Sequence, residues 1–404
     1  MKVLFLGCVF AKENETEVIR NSKIAVEFSA NNFQKKMIQG FKMVTEDFSV
    51  LSAPGIASFP NGYRKMRFKG FSVAQSEYEY VKFNNIWGIR NYSRAKNIKK
   101  RLNSFITSNK DEKLIVIYSA HTPFLQAATY AKQKDPRIKI CLVVLDLPQY
   151  MNLSTKQSWM YRFGKKYDMR KFNKLLPNVD SFMFLTEGMN EKLNKLHKPY
   201  IVVEGLVVDE QLSPKRIDIE KIGKNLEEKY IVYAGKLHER FGVKNLIYAF
   251  EKIKNEDYRL ILCGTGDCES FIKAEAVRDK RICFKGQVTA EEAKKWVEKA
   301  DVLVNPRPNN EEYTKYSFPS KNIEYLASGK PVVAYMLDGM KQIYRDFLYI
   351  PSDNSIVALS NCLLTALEQE QQYTNKSFID YCNKYLSSKS IAKKIVEKNR
   401  ASSC

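Results

Sequence analysis

Short apolar runs recur along this chain, and several have no polar face. Residues 3–6 (VLFL), 114–118 (LIVIY) and 141–145 (CLVVL) carry no charge and present apolar side chains in both directions. A strand tolerates that only where its sheet is covered on both sides, as in a parallel sheet built from βαβ units. Strands are expected at Lys2–Leu6, Leu114–Tyr118, Lys139–Leu145, Ser181–Leu185 and Tyr200–Val203. Helical patterns fall between them at Phe124–Lys132, Lys156–Lys174 and Met189–Leu196.

The character changes over residues 207–229, which are charged and aperiodic and read as a linker or strut. The alternation then restarts. Strands are expected at Tyr230–Ala234, Arg259–Cys263, Ile282–Phe284, Val302–Asn305 and Pro331–Ala334, and helices at Val243–Ile253, Ala290–Lys299 and Ser320–Ala327. Ile356 to Arg400 reads as mostly helical. The expectation is two α/β domains in tandem, each a doubly wound sheet. Ligands of such sheets sit beyond the carboxyl ends of the strands, and the space between two such domains is the expected site.

Charge narrows the partners. The 404 residues hold 66 Lys and Arg against 45 Asp and Glu, a formal balance of +21. Residues 1–205 carry 34 basic and 17 acidic side chains, so nearly all the excess is N-terminal. Such a field attracts nucleic acid, an anionic membrane face or a pyrophosphate substrate. Basic residues cluster at Arg64, Lys65, Arg67 and Lys69, at Arg90, Arg94, Lys96, Lys99, Lys100 and Arg101, and at Arg162, Lys165, Lys166, Arg170, Lys171 and Lys174. Tyr63, Phe68, Phe71, Trp87, Tyr92, Trp159 and Tyr161 lie among them. The favoured reading is a peripheral membrane face for anionic lipid and a lipid-pyrophosphate acceptor; the plainer one is a solvated surface.

Eight cysteines form no CxxC pair and several lie inside apolar runs, which reads as reduced, buried cysteine in a cytosolic protein. The opening MKVLFLGCVFA could pass for a signal peptide. Its apolar core is short and Glu13, Glu15 and Glu17 follow, so a buried first strand is the better reading. The longest uncharged stretch, Leu114 to Ala131, is interrupted by Ser119, His121, Thr122, Pro123 and Gln126 and does not read as a span. No Asp-x-Asp pair or His/Cys cluster is present, so no metal is expected.

Three segments carry chemistry. In NPRPNNEEYTKYSFPSKNIEYLASGKPVV, Ser317-Phe318-Pro319-Ser320 opens a helix after a strand. Ser is a favoured cap and Pro suits the first turn, and the free N–H groups there suit a phosphate. Glu324 lies one turn in, placed to accept hydrogen bonds from a ribose diol. Lys321 sits in the first turn against the dipole preference, as if facing an anion. The plain alternative makes Glu324 a dipole partner and Lys321 a solvated side chain. In YAGKLHERFGVKNLI, Gly235 ends a strand, and Lys236, His238 and Arg240 precede Gly242 and a helix. Lys236 and Arg240 could grip a diphosphate, or form an ordinary basic loop. In LILCGTGDCESF, Gly264-Thr265-Gly266-Asp267 follows a strand but lacks the third glycine of a dinucleotide fingerprint.

In this order and spacing the three segments resemble the C-terminal half of family-four retaining glycosyltransferases of the GT-B fold. KYSFPSKNIEYLASGKPVV resembles the bacterial surface-polysaccharide members especially. The resemblance covers residues 230–335 strongly and the N-terminal half more weakly. It implies two Rossmann-like domains with an inter-domain cleft: residues 1–206 binding the acceptor, with a helix at 386–404 packing back on them, and residues 207–385 binding the donor. The implied reaction moves a hexosyl group, with retention and without metal or cofactor, from a nucleoside diphosphate sugar to a lipid-linked or saccharide acceptor, in capsule or lipopolysaccharide synthesis. The implied location is cytoplasmic, at the inner face of the cell membrane.

Carried over residue by residue, Glu324 matches the second glutamate of the paired motif that holds the ribose. Ser317, Phe318, Pro319 and Ser320, with Lys321, match the diphosphate cradle, and Lys236 the first of a basic pair. Gly7, Gly235 and Gly264 are where backbone approaches the donor. Two positions depart from the pattern: Tyr316 stands for the first glutamate and Phe241 for the second basic residue, with Arg240 adjacent. Glu311 and Glu312 are carboxylates available to replace the first. His121, after LIVIYSA, falls where the family places a group near the reacting hydroxyl, with a structural histidine as the alternative; Asp146, after CLVVL, is the matching acid, or a turn cap. Segments after Gly7 and around Asn32–Gln39 read as acceptor loops without a motif. Two rival readings are a nucleotide-sugar epimerase on the same plan, disfavoured by only three histidines, and a basic nucleic-acid-binding protein, for which no recognition motif is present.

Overall fold

A computed structural model describes residues 1–24, 26, 28–69, 71–72, 78–147, 159–207, 227–368 and 376–400. Most of the expected linker, the first residues of the helix expected from Lys156, and the chain end at Cys404 lie outside them. The chain divides into two compact units, Met1–Val208 with Tyr385–Cys404, and Asp209–Lys384.

Among the described residues, ten strands belong to the first unit: β1 (Lys2–Gly7), β2 (Phe48–Ser52), β3 (Arg67–Phe68), β4 (Phe71–Ser72), β5 (Tyr78–Tyr80), β6 (Phe83–Asn84), β7 (Lys113–Tyr118), β8 (Ile138–Val144), β9 (Ser181–Phe184) and β10 (Tyr200–Val202). Eight form one sheet in the order β10-β9-β8-β7-β1-β2-β5-β4, parallel except at the β4–β5 edge, while β3 and β6 pair separately. The order runs outward from β1 in both directions, so the switch point lies between β1 and β7. The strands expected to be apolar on both faces are the central ones; Val3, Phe5, Leu114, Ile115, Val116 and Ile140 are fully buried. Each such side chain contributes about 1.5–3 kcal/mol by leaving water.

The helix Ser388–Arg400 belongs to this unit. Its Ile391, Ala392, Ile395 and Val396 join the core under β1 and β7, and it crosses the helix Phe28–Val44 at Gly40, where a Cβ would strike the Ser388 carbonyl. That second helix corrects one expectation, because Asn32–Gln39 is helical and not a loop. Its buried face includes Asn31, whose side chain exchanges hydrogen bonds with the backbone of Phe10 at 2.9 and 3.0 Å. It also includes Gln34, whose Oε1 accepts from Cys8 N at 2.8 Å.

Among its described residues the second unit has five parallel strands: β11 (Lys229–Ala234), β12 (Tyr258–Cys263), β13 (Ile282–Gly286), β14 (Val302–Asn305) and β15 (Val332–Ala334). Their order is β13-β12-β11-β14-β15, which puts the switch point between β11 and β14. Leu246, Ile247 and Phe250 from the helix Val243–Glu251 and Leu359 and Leu363 from Ile356–Glu368 pack on this sheet's core. The helix Ala290–Lys299 begins with a capping box between Thr289 and Glu292. Among the described residues, no helix is long and apolar enough to cross a membrane.

Candidate functional site

In the second unit, the loops after β11 and β12 hold one another. Leu237 N donates to the Thr265 carbonyl at 2.8 Å, and Cys268 N to the Leu237 carbonyl at 3.0 Å. A Cβ on Gly264 would collide with the Gly235 carbonyl, and one on Gly266 with that of Leu237. Gly264 has φ +136°, open to glycine. The glycines of GTGD thus let the β12 loop lie against the β11 loop. Asp267 adds an acceptor for Glu239 N at 3.0 Å, and its carboxylate lies 3.0 Å from His238 Nδ1.

Across the switch point, Gly242 (φ +78°) abuts the Pro306 carbonyl and allows the turn into its helix. Arg240 lies over the Tyr313 ring at 4.6 Å and over Phe241 at 5.6 Å. Arg307, two residues beyond β14, lies over Tyr313 at 4.7 Å and Phe241 at 5.3 Å. Both guanidiniums have a buried Nε without an acceptor. Arg307 Nη2 donates to Ser317 Oγ at 2.8 Å, and that hydroxyl donates to the Tyr313 carbonyl at 3.1 Å.

The helix Ser320–Ala327 is held by Tyr325, whose phenol oxygen accepts from Ala234 N at 2.9 Å and donates to the Ala234 carbonyl at 3.3 Å. Asn305 Nδ2 donates to Asn322 Oδ1 at 2.7 Å. The ends of β11 and β14 therefore fix this helix. Lys236, Arg240, Ser317 and the N-terminal turn at Pro319 and Ser320 belong to these linked elements.

Several expectations need correction. No serine side chain caps the helix; its N-cap is Pro319, and Ser320 is already helical. Phe318 turns its ring into the core, 5.2 Å from Tyr344, leaving only its backbone on the turn. Lys321 faces an anion, but that anion is the carboxylate of Glu324, 3.4 Å away. Tyr316 and Glu312 lie on a short 3-10 turn, Glu312–Tyr316, and Glu312 is exposed.

In the first unit, Gly7 ends β1 and His121 follows β7, the two strands that flank the switch point. The space above Gly7 is taken by Gln34 Oε1 and the Phe5 ring, so its lack of a side chain serves internal packing. His121 is the N-cap of Thr122–Lys134, its ring tilted against that of Phe124 with centroids 5.0 Å apart and its Nδ1 buried and unpartnered. Burial pushes its pKa down to about 3, with the charges of Arg94 and Arg90 adding to the effect. Asp146 is exposed in the bend after β8. Arg94 contradicts its placement in a basic surface face. It is 2% exposed, lies 4.3 Å over Phe83 and donates to the Pro54 carbonyl at 2.6 Å. Arg90 donates to the Ile56 carbonyl at 3.0 Å, so the two arginines strap the segment after β2.

Arg307 was missed in the sequence. The only available signal was its place just beyond a strand end, in NPRP.

Residues 228–369 match the family model described as Glycosyl transferases group 1. An uncharacterized glycosyltransferase of Methanocaldococcus jannaschii is 30% identical over 129 residues, 31% of each chain. The phosphatidyl-myo-inositol mannosyltransferase of Mycobacterium tuberculosis is 28% identical over 179 residues, 42% of this chain and 45% of that one. These matches span less than half of those relatives. Sucrose-phosphate synthase from Thermosynechococcus elongatus superposes with a TM-score of 0.65 at 14% identity, over 99% of both chains. Anabaena HepE, solved in complex with UDP, superposes at 0.63 with 16% identity, over 99% of this chain and 100% of that one. The chain has the GT-B fold of two Rossmann-like halves, and its residues 228–369 are a group 1 glycosyl transferase domain.

Proposed function

We propose that this protein transfers a hexosyl group, with retention, from a nucleoside diphosphate sugar to a hydroxyl of a lipid-linked or saccharide acceptor in surface-polysaccharide synthesis. The observation that carries the reading is the convergence, at the switch point of the group 1 domain, of the Lys236–Arg240 loop, the Ser317–Ser320 turn and the helix bearing Glu324. Cations and helix amides placed there stabilise the charge that develops on a departing diphosphate. Glu324 accepts from the ribose hydroxyls once Lys321 turns from it to a phosphate. At Gly235 and Gly264 the Tyr233 phenol and the Gly235 carbonyl fill the space a side chain would take, so these glycines serve loop packing; Glu312 or Tyr316 meets the sugar. His121, kept neutral by burial, orients the acceptor hydroxyl, with Asp146 at the next strand end. The first unit takes the acceptor and the second the donor.

The basic first unit fits an anionic membrane surface at the inner face of the cell membrane. The helix Trp159–Leu175 supports this, for Phe163 (72% exposed) and Tyr167 (66%) stand in the open beside Arg162, Lys166, Arg170 and Lys174.

The test is transfer from a panel of UDP-, GDP-, ADP- and dTDP-hexoses, followed by release of the nucleoside diphosphate. Lys236→Ala is expected to lower turnover about 100-fold with an unchanged melting temperature. Unchanged turnover in that variant contradicts the phosphate role of Lys236.

A further inference from the structure

We infer that Arg307 is a diphosphate-gripping residue, the cation that replaces the one absent at position 241. The inference rests on the donor reading above and deepens it.

The first ground is placement. Arg240 follows β11 and Arg307 follows β14, and the switch point lies between these two strands. In a parallel sheet that is where a ligand finds open backbone and helix ends together.

The second is charge. The two guanidiniums share the same aromatic rings, Tyr313 and Phe241. Aromatic faces stabilise each cation modestly but do not neutralise it. No carboxylate pairs with either arginine among the described residues. Each guanidinium keeps a buried Nε–H without an acceptor, and an anion lying against the pair of residues supplies one.

The third is attachment. The Arg307–Ser317 hydrogen bond ties the guanidinium to the turn that opens the helix Ser320–Ala327. The same anion can therefore meet Arg307 and the helix amides. Finally, Phe241 occupies the position where a cation is expected from the resemblance, and its ring lies 5.3 Å beneath Arg307. The aromatic residue does not simply delete a charge; it is part of the surface on which a charge from another strand rests.

The experiment measures the dissociation constants of UDP, GDP, ADP and dTDP, each against its monophosphate, for the parent and for Arg307→Ala. A hydrogen bond to a charged group contributes about 1.5–3 kcal/mol, or roughly 10- to 150-fold. The diphosphate that binds the parent is expected to weaken by that factor, while its monophosphate weakens by a smaller one, so that their ratio collapses. Unchanged diphosphate affinity overturns the assignment. So does an equal loss for both nucleotides, because that is the mark of a distorted nucleoside site. If Arg307→Ala does not fold, Arg307→Gln makes the same test and keeps the side chain's stem on the rings. A parent that binds none of the four diphosphates refutes the donor reading itself, and the inference falls with it.

Discussion

Tyr325 bonds both the amide and the carbonyl of Ala234, so one phenol closes the end of β11 against the helix Ser320–Ala327. The tie is fully inside the protein, and burial raises the phenol's pKa well above its ordinary value. It sets how far the helix N-terminus stands from the Gly235 loop. The proposed donor site depends on that spacing.

Tyr325→Phe leaves the Ala234 amide buried without a partner. The expected loss is about 1–3 kcal/mol of stability. Denaturant melting measures it, and a change under a few tenths of a kcal/mol would show that the backbone finds another acceptor.

Lys113 and Asp135 form a buried pair in the first unit at 2.8 Å, and Lys113, 0% exposed, also donates to the Ile106 carbonyl. Lys113→Ala leaves Asp135 with Arg137 as its remaining cation and takes the donor from the Ile106 carbonyl, with an expected cost of about 1–3 kcal/mol. Arg137 and Lys113 hold the Asp135 carboxyl well below the usual carboxylate range. A depressed carboxylate contributes stability that is full above its unfolded pKa of about 4 and is lost as pH falls further. Asp135→Asn should flatten the acid limb of the stability curve; an unaltered limb assigns that loss to other carboxylates.

His121 gives the acid sensitivity of a neutral buried imidazole. Its folded pKa of about 3 lies below the unfolded value, so the unfolded chain binds the extra proton between about pH 3 and 6.5. Stability contributed by His121 is full above about pH 6.5 and falls on acidification by at most about 1.4 kcal/mol per pH unit. His121→Asn should remove that slope. Turnover of the parent should show no His121 titration between about pH 6 and 8.

The exposed pair Phe163 and Tyr167 gives the membrane proposal its own test. Each aromatic side chain that enters the lipid interface contributes at most about 1.5–3 kcal/mol. Replacing both by serine should lower binding to phosphatidylglycerol vesicles by about tenfold. Equal binding would leave the basic side chains alone responsible.

The central strands were legible because they are apolar on both faces, and Val302–Asn305, Ala290–Lys299 and Ser320–Ala327 have the bounds the sequence predicts, whereas β2, β4 and β5 of the first unit's sheet, short and toward its edge, were not read as strands. The helix Phe28–Val44 was not legible, because Asn31 and Gln34 sit on its buried face. Their polarity is satisfied by backbone groups more than twenty residues away, which no periodicity announces. Arg94 hid for the converse reason: a buried guanidinium with a carbonyl and a ring for partners looks, in sequence, like any surface cation. In the second unit, the loops after strands were findable from position. The pairing of Arg240 with Arg307 depends on β11 lying beside β14, strands whose carboxyl ends, Ala234 and Asn305, are 71 residues apart and which only the topology brings together.

The donor site is tested most directly by the melting temperature of the intact protein with UDP, GDP, ADP, CMP and dTDP, alongside Glu324→Ala. A ligand that binds only the folded state raises the melting temperature with its concentration. One nucleoside diphosphate should raise that of the parent and do so far less for Glu324→Ala. If none of the five shifts the parent, the nucleotide-sugar reading of residues 228–369 is contradicted.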